Sequence, residues 1–340
     1  MLSRVKETKE SSLPVIAVDL GGSKIAVSIV SPEYQILARE HHATPARQGV
    51  DAVINCIIAA VGRIIASQGV ALSQLGGISV AAAGAIDSRT GMVSLSPNLP
   101  GWHDIPLGAI IREKLGAKTW LINDANAAAL GEHYLGVARG LKSLIYLAVG
   151  TGIGGAIIIA GRLYTGASGS AGEIGHMTID VNGPRCECGN TGCLETLASG
   201  KAIAREAIRR ISAGEGSSLA EIVGGRLAGI TAKEVASAAQ RGDALASSVL
   251  SGAAAYLGVG MVNLVNIFNP EMIVVGGGLS HLGDLLLSPA RQMVRERAFP
   301  VSARAVRIVG TELGDSAGLL GAAHFAFKQE LDEVSRDESS

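Results

Sequence analysis

The sequence predicts an α/β protein built from two related domains, and three observations support this prediction. The chain has 340 residues with 48% hydrophobic composition, which is enough for two domains with separate cores. Strand patterns alternate with helical patterns along most of the chain. A hairpin of strand, glycine-rich turn and strand occurs twice, with turns at Asp19-Leu-Gly-Gly-Ser-Lys24 and Gly150-Thr-Gly-Ile-Gly-Gly155. This repeat predicts two related domains whose turns face each other across a cleft.

The first half of the chain opens with the first of these hairpins. A strand, a glycine turn and a second strand differ from a P-loop or Rossmann turn, which opens a helix. The tip can still hold phosphate through the amides of Gly21 and Gly22, the hydroxyl of Ser23 and the charge of Lys24, and Asp19 could hold hydrated Mg²⁺. A plain tight hairpin is the alternative. The elements predicted for this half are strands at 15–19, 25–30, 35–44, 77–87 and 119–123, and helices at 50–68, 105–115 and 127–134.

Polar residues follow two of these segments. Asn98, in the loop 96–102, is either a ligand contact or the cap of a turn. Asn123 and Asp124 lie at the carboxyl end of a strand, where ligands gather in α/β folds. Asp124 could accept a proton from an attacking hydroxyl that Asn123 orients. The alternative is that Asp124 caps the following helix, and these two residues alone favour the cap.

The second half repeats the hairpin and adds a third glycine turn, Gly276-Gly277-Gly278, which could lie beneath an adenine or a ribose. In the second hairpin turn, the predicted phosphate contacts are Gly150, Thr151, Gly152, Gly154 and Gly155. The elements predicted for this half are strands at 143–149, 156–160, 272–275 and 305–309, and helices at 198–211, 231–240, 244–268 and 317–328.

Three of the four cysteines lie in residues 186–193, within a glycine-rich loop that follows a histidine. Thiolate and imidazole are the ligands that zinc prefers, and four such ligands form a closed, structural site. The predicted zinc ligands are His176, Cys186, Cys188 and Cys193. Glu173, His176 and Glu195 bracket this site, so we expect the metal to brace a pocket that binds the hydroxyl groups of a sugar.

Composition excludes several classes of partner. Lys+Arg at 29 against Asp+Glu at 30, with 3% aromatic residues, argues against binding to nucleic acid or acidic lipid. Thiols reserved for a metal indicate a reducing cytoplasm, and residues 1–14 lack the apolar core of a secretory signal. The segments 144–160 and 251–268 have the length of membrane spans. Glycines in the first and asparagines in the second favour interior strands and an interior helix instead.

Taken together, the two glycine turns, Glu173-Ile-Gly-His176 and the three-cysteine loop resemble the ROK family of sugar kinases and sugar-responsive repressors, over about residues 15–327. The resemblance implies an actin-like (ribonuclease H-like) ATPase fold. Its domains would be 15–124, completed by the helix 317–328, and 125–316, which holds the zinc loop 176–193. The segments outside them are a disordered tail, 1–14, and an acidic tail, 329–340.

The resemblance also implies roles for residues. Asp124 would be the catalytic base rather than the helix cap that the residues alone favour. His176 would serve zinc through one ring nitrogen and sugar through the other. The glycine turns would bind the phosphates of ATP with Mg²⁺. The sugar contacts would be Gly84, Asn98, Asn123, Asp124, Glu173, His176 and Glu195.

The activity implied is ATP-dependent phosphorylation of a hexose, usually at C6, by a cytoplasmic, homo-oligomeric enzyme of carbohydrate metabolism. The N-acetylmannosamine kinases of the family carry an arginine where this chain has Ala85, so an unsubstituted hexose fits better. The loop 97–102 looks like that of the glucokinases. Glucose is therefore the predicted substrate, and glycolysis is the predicted pathway. Kinases of N-acetylmannosamine, N-acetylglucosamine or fructose, a non-catalytic sugar sensor and an ATPase acting on protein partners are the alternatives. Repressors of the family carry a DNA-binding domain before the first hairpin, and residues 1–14 are too few for its three helices.

Overall fold

A computed structural model describes residues 13–337, so most of the predicted tail 1–14 and the last three residues lie outside the described part. Two compact units divide the chain. The first contains the described residues up to Leu135, Gly166–Ser170 and the residues from Asp315 onward. The second contains Gly136–Thr165 and Ala171–Gly314.

The strands and helices alternate as the sequence predicts. The strands are β1 (Val15–Leu20), β2 (Lys24–Val30), β3 (Ile36–Ala43), β4 (Ile78–Ala82), β5 (Ala85–Asp87), β6 (Met92–Leu95), β7 (His103–Ile105), β8 (Thr119–Asn123), β9 (Leu144–Val149), β10 (Ile153–Ile159), β11 (Arg162–Leu163), β12 (Met272–Gly276) and β13 (Arg307–Gly310). The helices are α1 (Val50–Gln68), α2 (Leu107–Leu115), α3 (Asp124–Tyr134), α4 (Leu194–Ala198), α5 (Gly200–Ser212), α6 (Leu219–Ile222), α7 (Ala232–Gln240), α8 (Ala244–Phe268), α9 (Asp284–Arg297), α10 (Pro300–Ala305) and α11 (Ala317–Asp337).

Each unit is built on a five-stranded sheet, and the two sheets have the same topology. The order is β3-β2-β1-β4-β8 in the first unit and β11-β10-β9-β12-β13 in the second. In both, three antiparallel strands form a meander and two further strands run parallel to the first strand of the hairpin. The duplication that the two hairpins predict is therefore present in the whole sheet. The carboxyl ends of three strands meet at one edge of each sheet, beside the turn of its hairpin.

Apolar side chains from sheet and helices form one core in each unit. Helix α1 buries Val53, Ile57, Val61 and Ile64, whose helical spacing places them on one face toward β2 and β3. Helix α8 lies in the core of the second unit. Both helices are long and apolar enough to cross a membrane, but each contributes its buried face to a protein core. The segment 144–160 forms β9 and β10 rather than a helix.

Several elements differ from the sequence prediction. The predicted strand 77–87 is interrupted at Gly84, whose φ of 114° takes the chain out of the sheet. The residues beyond it form β5, which pairs with β6 and β7 in a separate three-stranded sheet. The predicted helix 198–211 is divided at Ser199, which caps α5 through its side chain. Helices α9 and α10 were not predicted, and α11 continues to Asp337, well into the segment predicted as an acidic tail.

Helix α3 belongs to the first unit, so the division of the chain lies at Leu135 rather than after Asp124. Its backbone packs directly on the backbone of α11. A Cβ atom at Gly131 would lie 2.5 Å from the carbonyl oxygen of Ala317, and one at Gly321 would overlap the carbonyl oxygen of Ala127. This close packing, which needs glycine on both helices, holds α3 in the first unit.

Candidate active site and metal centre

The four predicted zinc ligands come together in the second unit. The ligand atoms of His176, Cys186, Cys188 and Cys193 all lie within 4.8 Å of one another. Nδ1 of His176 is 3.7 Å from Sγ of Cys186, and the sulfur atoms of Cys188 and Cys193 are 3.8 Å apart. The edge of a tetrahedron with metal–sulfur bonds of ~2.3 Å is about 3.8 Å, so this donor set fits a tetrahedral Zn²⁺.

Local backbone structure and electrostatics both favour a metal here. The loop is closed by paired backbone contacts between Arg185 and Thr191 and between Thr178 and Cys193. Burial first, and then the neighbouring thiols of Cys186 and Cys188, raise the pKa of the Cys193 thiol to about 12. Thiols this close cannot all ionise unless a cation neutralises them, which is what a bound zinc ion does.

Glu173 and His176 flank one short turn beside the metal cluster. The carboxylate Oε2 of Glu173 is 3.8 Å from Nε2 of His176, while Nδ1 of the same ring faces Cys186. The two ring nitrogens therefore have different neighbours, one in the metal cluster and one at a half-exposed carboxylate. This arrangement allows the imidazole to bind a metal on one side and a hydroxyl group on the other.

Two glycine turns lie next to each other at the carboxyl ends of β9 and β12. A Cβ atom on Gly150 would be 3.8 Å from the amide nitrogen of Gly278, which begins a short 3₁₀ helix. The second hairpin turn is shorter than predicted, because β10 begins at Ile153. Gly154 and Gly155 accordingly lie in the strand, and a Cβ on Gly155 would meet the side chain of Ile174 at 2.5 Å. The edge of the sheet beside these turns is therefore lined by Gly150 to Gly152 and Gly276 to Gly278, and it is called the glycine-lined edge.

Glu195 lies in α4 and reaches this glycine-lined edge. Its Oε2 accepts a hydrogen bond of 2.7 Å from the backbone N–H of Ile153. A side chain at Gly152 would overlap the same oxygen, so glycine is required at that position of the turn. Glu195 is therefore in contact with the second hairpin turn as well as close in sequence to Cys193.

The hairpin turn of the first unit borders a cavity of about 220 Å³. The turn is closed by a hydrogen bond from the N–H of Gly21 to the carbonyl of Lys24, and Thr44 donates its hydroxyl to the carbonyl of Gly21. Four of the residues predicted to contact nucleotide line this cavity together with two others. The lining residues are Asp19, Gly21, Ser23, Lys24, Ala26 and Asp315.

Asp19, which lines this cavity, has a raised pKa. Burial first, and then the charges of Asp124 and Asp315, raise its pKa to about 7 against the opposing effect of Lys24. Carboxylates placed close enough to repel each other fit a cation such as Mg²⁺, which takes oxygen ligands. Asp19 and Asp124, predicted separately from two strand ends, are thus electrostatic neighbours.

Asn123, and not Asp124, caps helix α3. Oδ1 of Asn123 accepts the N–H of Asn126 at 3.0 Å, and its Nδ2 donates to the carbonyl of Gly84 at 3.0 Å. Asp124 is the first residue of the helix, and its Oδ1 accepts the N–H of Ala125 at 2.8 Å. Because the cap is supplied by its neighbour, the carboxylate of Asp124 is not explained as an N-cap.

The loop after β6 carries Asn98 to the tip of the first hairpin. The fully buried side chains of Leu99 and Trp102 anchor this loop, while Asn98 itself is exposed. A Cβ on Gly22 would lie 2.8 Å from the carbonyl oxygen of Asn98 and 2.9 Å from its Cβ, so the second glycine of the turn leaves room for this loop. Asn98 thus lies against the hairpin turn.

Sequence reasoning missed Asp315. It lines the cavity at the start of α11, and its Oδ2 lies 3.8 Å from Nζ of Lys24. Gly318, one turn further, is close enough that its Cβ would lie 3.1 Å from Oδ2 of Asp19. The segment from Gly314 to Gly318, with two glycines around a helix start, is the signal that could have indicated this position.

Known proteins resemble this chain along nearly its whole length. A glucokinase of Thermotoga maritima is 36% identical over 92% of this chain and 96% of its own length. A xylose repressor of Caldicellulosiruptor bescii is 32% identical, over 90% of this chain and 76% of the repressor. The crystal structure of a ROK family glucokinase from Streptomyces griseus, in complex with glucose and AMPPNP, has 35% sequence identity and a TM-score of 0.83, covering 93% of this chain and 99% of that one.

These similarities agree with the actin-like ATPase fold that the two sheets show and with the four metal ligands that the second unit brings together. The match to the ROK family spans residues 15–329, close to the extent expected from the motifs. The chain belongs to the ROK family.

Proposed function

We propose that this protein is an ATP-dependent hexose kinase that converts glucose to glucose 6-phosphate. The observation that supports the proposal most strongly is the joint presence of full-length similarity to glucokinases and of a carboxylate, Asp124, at the start of a helix that Asn123 already caps. A sugar-binding protein without catalysis would not need that carboxylate beside Asp19 and a glycine hairpin.

In the proposed reaction, a hydroxyl group of the hexose attacks the terminal phosphorus of ATP while Asp124 accepts its proton. The bond from that phosphorus to the bridging oxygen breaks, and ADP leaves. The first turn of a helix favours a carboxylate anion, which suits Asp124 to this role. Phosphoryl transfer otherwise needs positioning and neutralisation of phosphate charge rather than covalent help from the protein. Mg²⁺, for which Asp19 is the proposed residue, would neutralise charge on the phosphates when bound with the nucleotide.

The chain's other residues would hold the two substrates. We propose that the amides of the hairpin turns at Gly21–Gly22 and at Gly150–Gly152 bind phosphate oxygens, with Ser23 and Lys24 adding a hydroxyl and a charge. Gly276 to Gly278 would lie under the nucleoside. The residues proposed to contact sugar hydroxyls or line the sugar site are Gly84, Asn98, Asn123, Glu173, His176 and Glu195.

A zinc ion bound by His176 and the three cysteines would be structural, because the protein supplies all four ligands. It would hold the turn that carries Glu173 and His176 in place. Since oriented hydrogen bonds to several hydroxyl groups require fixed partners, we expect the metal to matter for sugar affinity more than for chemistry.

The assay that tests this proposal measures ADP release with ATP, Mg²⁺ and a panel of sugars. We expect the highest kcat/KM for glucose, compared with mannose, fructose, N-acetylglucosamine and N-acetylmannosamine. An N-acetyl sugar or fructose as the best substrate would assign the protein to another kinase of the family. A second candidate function, a sugar sensor, is favoured by the similarity to xylose repressors, and sugar binding without ADP release for any hexose would support it.

The proposal also includes a cytoplasmic location, as expected from cysteines that bind zinc rather than form disulfides, and a homo-oligomer, as expected from the resemblance. Size-exclusion chromatography with light scattering measures the oligomeric state directly. A dimer or tetramer at micromolar concentration is the expected result, and a monomer at high concentration would contradict it.

A further inference from the structure

Helix α4 connects the metal cluster to the second hairpin turn. The metal ligand Cys193 is the residue immediately before the helix, and its neighbour Leu194 donates its N–H to the carbonyl of Met177 at 2.9 Å. Glu195 is the second residue of α4, so its position is set by a backbone that the metal cluster holds. Helix α4 therefore begins at the metal cluster and directs the carboxylate of Glu195 toward the second hairpin turn.

That carboxylate is hydrogen-bonded to the chain at the end of the hairpin turn. The bond of 2.7 Å from the N–H of Ile153 to Oε2 of Glu195 has a charged acceptor, and such bonds are stronger than those between neutral groups. The start of α5, which follows α4 after Ser199, contacts the same turn, because the N–H of Gly200 donates to the carbonyl of Gly150 at 2.8 Å. The N–H of Lys201 donates to the carbonyl of Thr151 at 3.4 Å. The turn is thus held by Glu195 of the five-residue helix α4 and by the first two residues of α5.

We infer that Glu195 is a positioning residue for the nucleotide turn and that it transmits the order of the metal loop to that turn. The inference rests on the proposed function in one respect, namely that this turn binds phosphate. A carboxylate has two oxygens, so Oε2 can hold the N–H of Ile153 while Oε1 contacts a sugar hydroxyl. A single side chain then contacts both the sugar and the element that binds ATP, and binding of either substrate favours binding of the other.

The chain offers a matched control for this inference. Glu173 is also a proposed sugar contact beside the metal cluster, but its carboxylate faces His176, whereas Glu195 holds the turn 150–152. Loss of Glu173 should therefore affect sugar binding alone. Loss of Glu195 should affect sugar binding and the turn.

The experiment compares wild type with Glu195→Ala, Glu195→Gln, Glu195→Asp and Glu173→Ala. Two measurements are made without sugar: hydrogen exchange of the Ile153 amide, and the Kd of ADP with Mg²⁺ by calorimetry. In Glu195→Ala we expect Ile153 to exchange at least about tenfold faster and ADP to bind about tenfold more weakly, as expected for loss of a hydrogen bond to a charged group. Gln keeps an oxygen acceptor but loses the charge and should lie between wild type and Ala, whereas the shorter Asp should behave like Ala. Glu173→Ala should leave both values unchanged.

The metal connection is tested with the same readouts. Chelation of zinc from wild type should weaken ADP binding by a factor similar to that of Glu195→Ala, and chelation of Glu195→Ala should add little. Metal content and far-ultraviolet circular dichroism show that each variant is folded and loaded. If Glu195→Ala fails to fold, Glu195→Asp gives the decisive comparison.

Two results would overturn the inference. One is wild-type exchange at Ile153 together with wild-type ADP affinity in a folded, zinc-loaded Glu195→Ala or Glu195→Asp. The other is an equal loss of ADP affinity on chelation with and without Glu195. If wild type itself binds no ADP, the proposed function is wrong, and the nucleotide part of the inference is wrong with it. In that case, hydrogen exchange at Ile153 alone decides whether Glu195 positions the turn.

Discussion

Replacing Asp19 by asparagine should stabilise the substrate-free protein at alkaline pH although it should damage catalysis. In the folded protein, burial and the nearby charge of Asp124 raise the pKa of Asp19 from its ordinary value of 3.8 to about 7. The native state therefore binds a proton that the unfolded state has already released between these two pH values. The free energy of unfolding must fall as pH rises from about 4 to about 7, and the loss persists at higher pH.

The size of the effect follows from the two pKa values. One unit of pKa difference corresponds to ~1.4 kcal/mol, so the full penalty at high pH is on the order of 4 kcal/mol. Unfolding can be measured at both pH 5 and pH 8. Between these two pH values, the ionisation of Asp19 should lower the free energy of unfolding of the wild type by about 2–3 kcal/mol. Asp19→Asn removes the titrating carboxyl, so its advantage over wild type should be larger at pH 8 than at pH 5 by the same amount.

Denaturant unfolding, followed by tryptophan fluorescence, measures the stability difference between Asp19→Asn and wild type in the unit that contains the substitution. Both tryptophans of the chain, Trp102 and Trp120, are buried in the first unit, the unit that contains Asp19. Glu113→Gln, which removes an exposed carboxylate from α2, is the control and should show no such change with pH. An advantage of Asp19→Asn that is equal at pH 5 and pH 8, or larger at pH 5, would refute the reasoning.

Three further variants test separate parts of the site and the fold. Asp124→Asn should lower kcat by about 10²–10⁴ in a protein that still folds, because Asn123 supplies the helix cap. Activity within a few-fold of wild type would exclude a base at this position. Cys188→Ser should lose bound zinc and bind glucose more weakly, as measured by metal analysis and calorimetry, and full zinc content with unchanged sugar affinity would contradict the metal's role. Gly321→Ala should destabilise the first unit by about 1–3 kcal/mol, because its Cβ overlaps the α3 backbone, whereas Gly62→Ala in the open surface of α1 should be neutral or slightly stabilising in the same unfolding assay.

Features that are local in sequence were predictable from it. The three cysteines and His176 were expected to meet, and they do, because residues close along a glycine-rich loop have few ways to lie far apart. The hairpin repeat predicted the duplicated sheet, and the helical spacing of apolar residues gave the bounds of α1 and α8 as the structure has them. The resemblance to the ROK family is confirmed by the match over residues 15–329.

Features that depend on distant parts of the chain were not predictable in this way. Nothing in the pair Asn123-Asp124 shows which residue caps α3, because either side chain can do so, and the contact with Gly84 decides it. For the segment 77–87 the sequence predicted a buried strand ending in a glycine turn. It did not predict that the residues beyond Gly84 pair in a separate sheet, because that pairing depends on β6 and β7.

Asp315 was missed for the same reason. It lies in a loop far along the chain from Lys24 and Asp19, and the fold of α11 against the first sheet brings it to the cavity. The bond between Glu195 and Ile153 likewise joins two motifs that the sequence separates by a long loop. Composition and periodicity describe which elements form, but contacts between elements follow from the fold.

The central claim is that this protein transfers a phosphoryl group from ATP to a hexose with Asp124 as the base. The most direct measurement identifies the product formed from glucose, ATP and Mg²⁺ by phosphorus and carbon NMR, for wild type and for Asp124→Asn. We expect ADP and glucose 6-phosphate in equal amounts from wild type and almost none from the variant over the same time. No phosphorylated sugar from wild type with any hexose, or equal rates from both proteins, would contradict the claim.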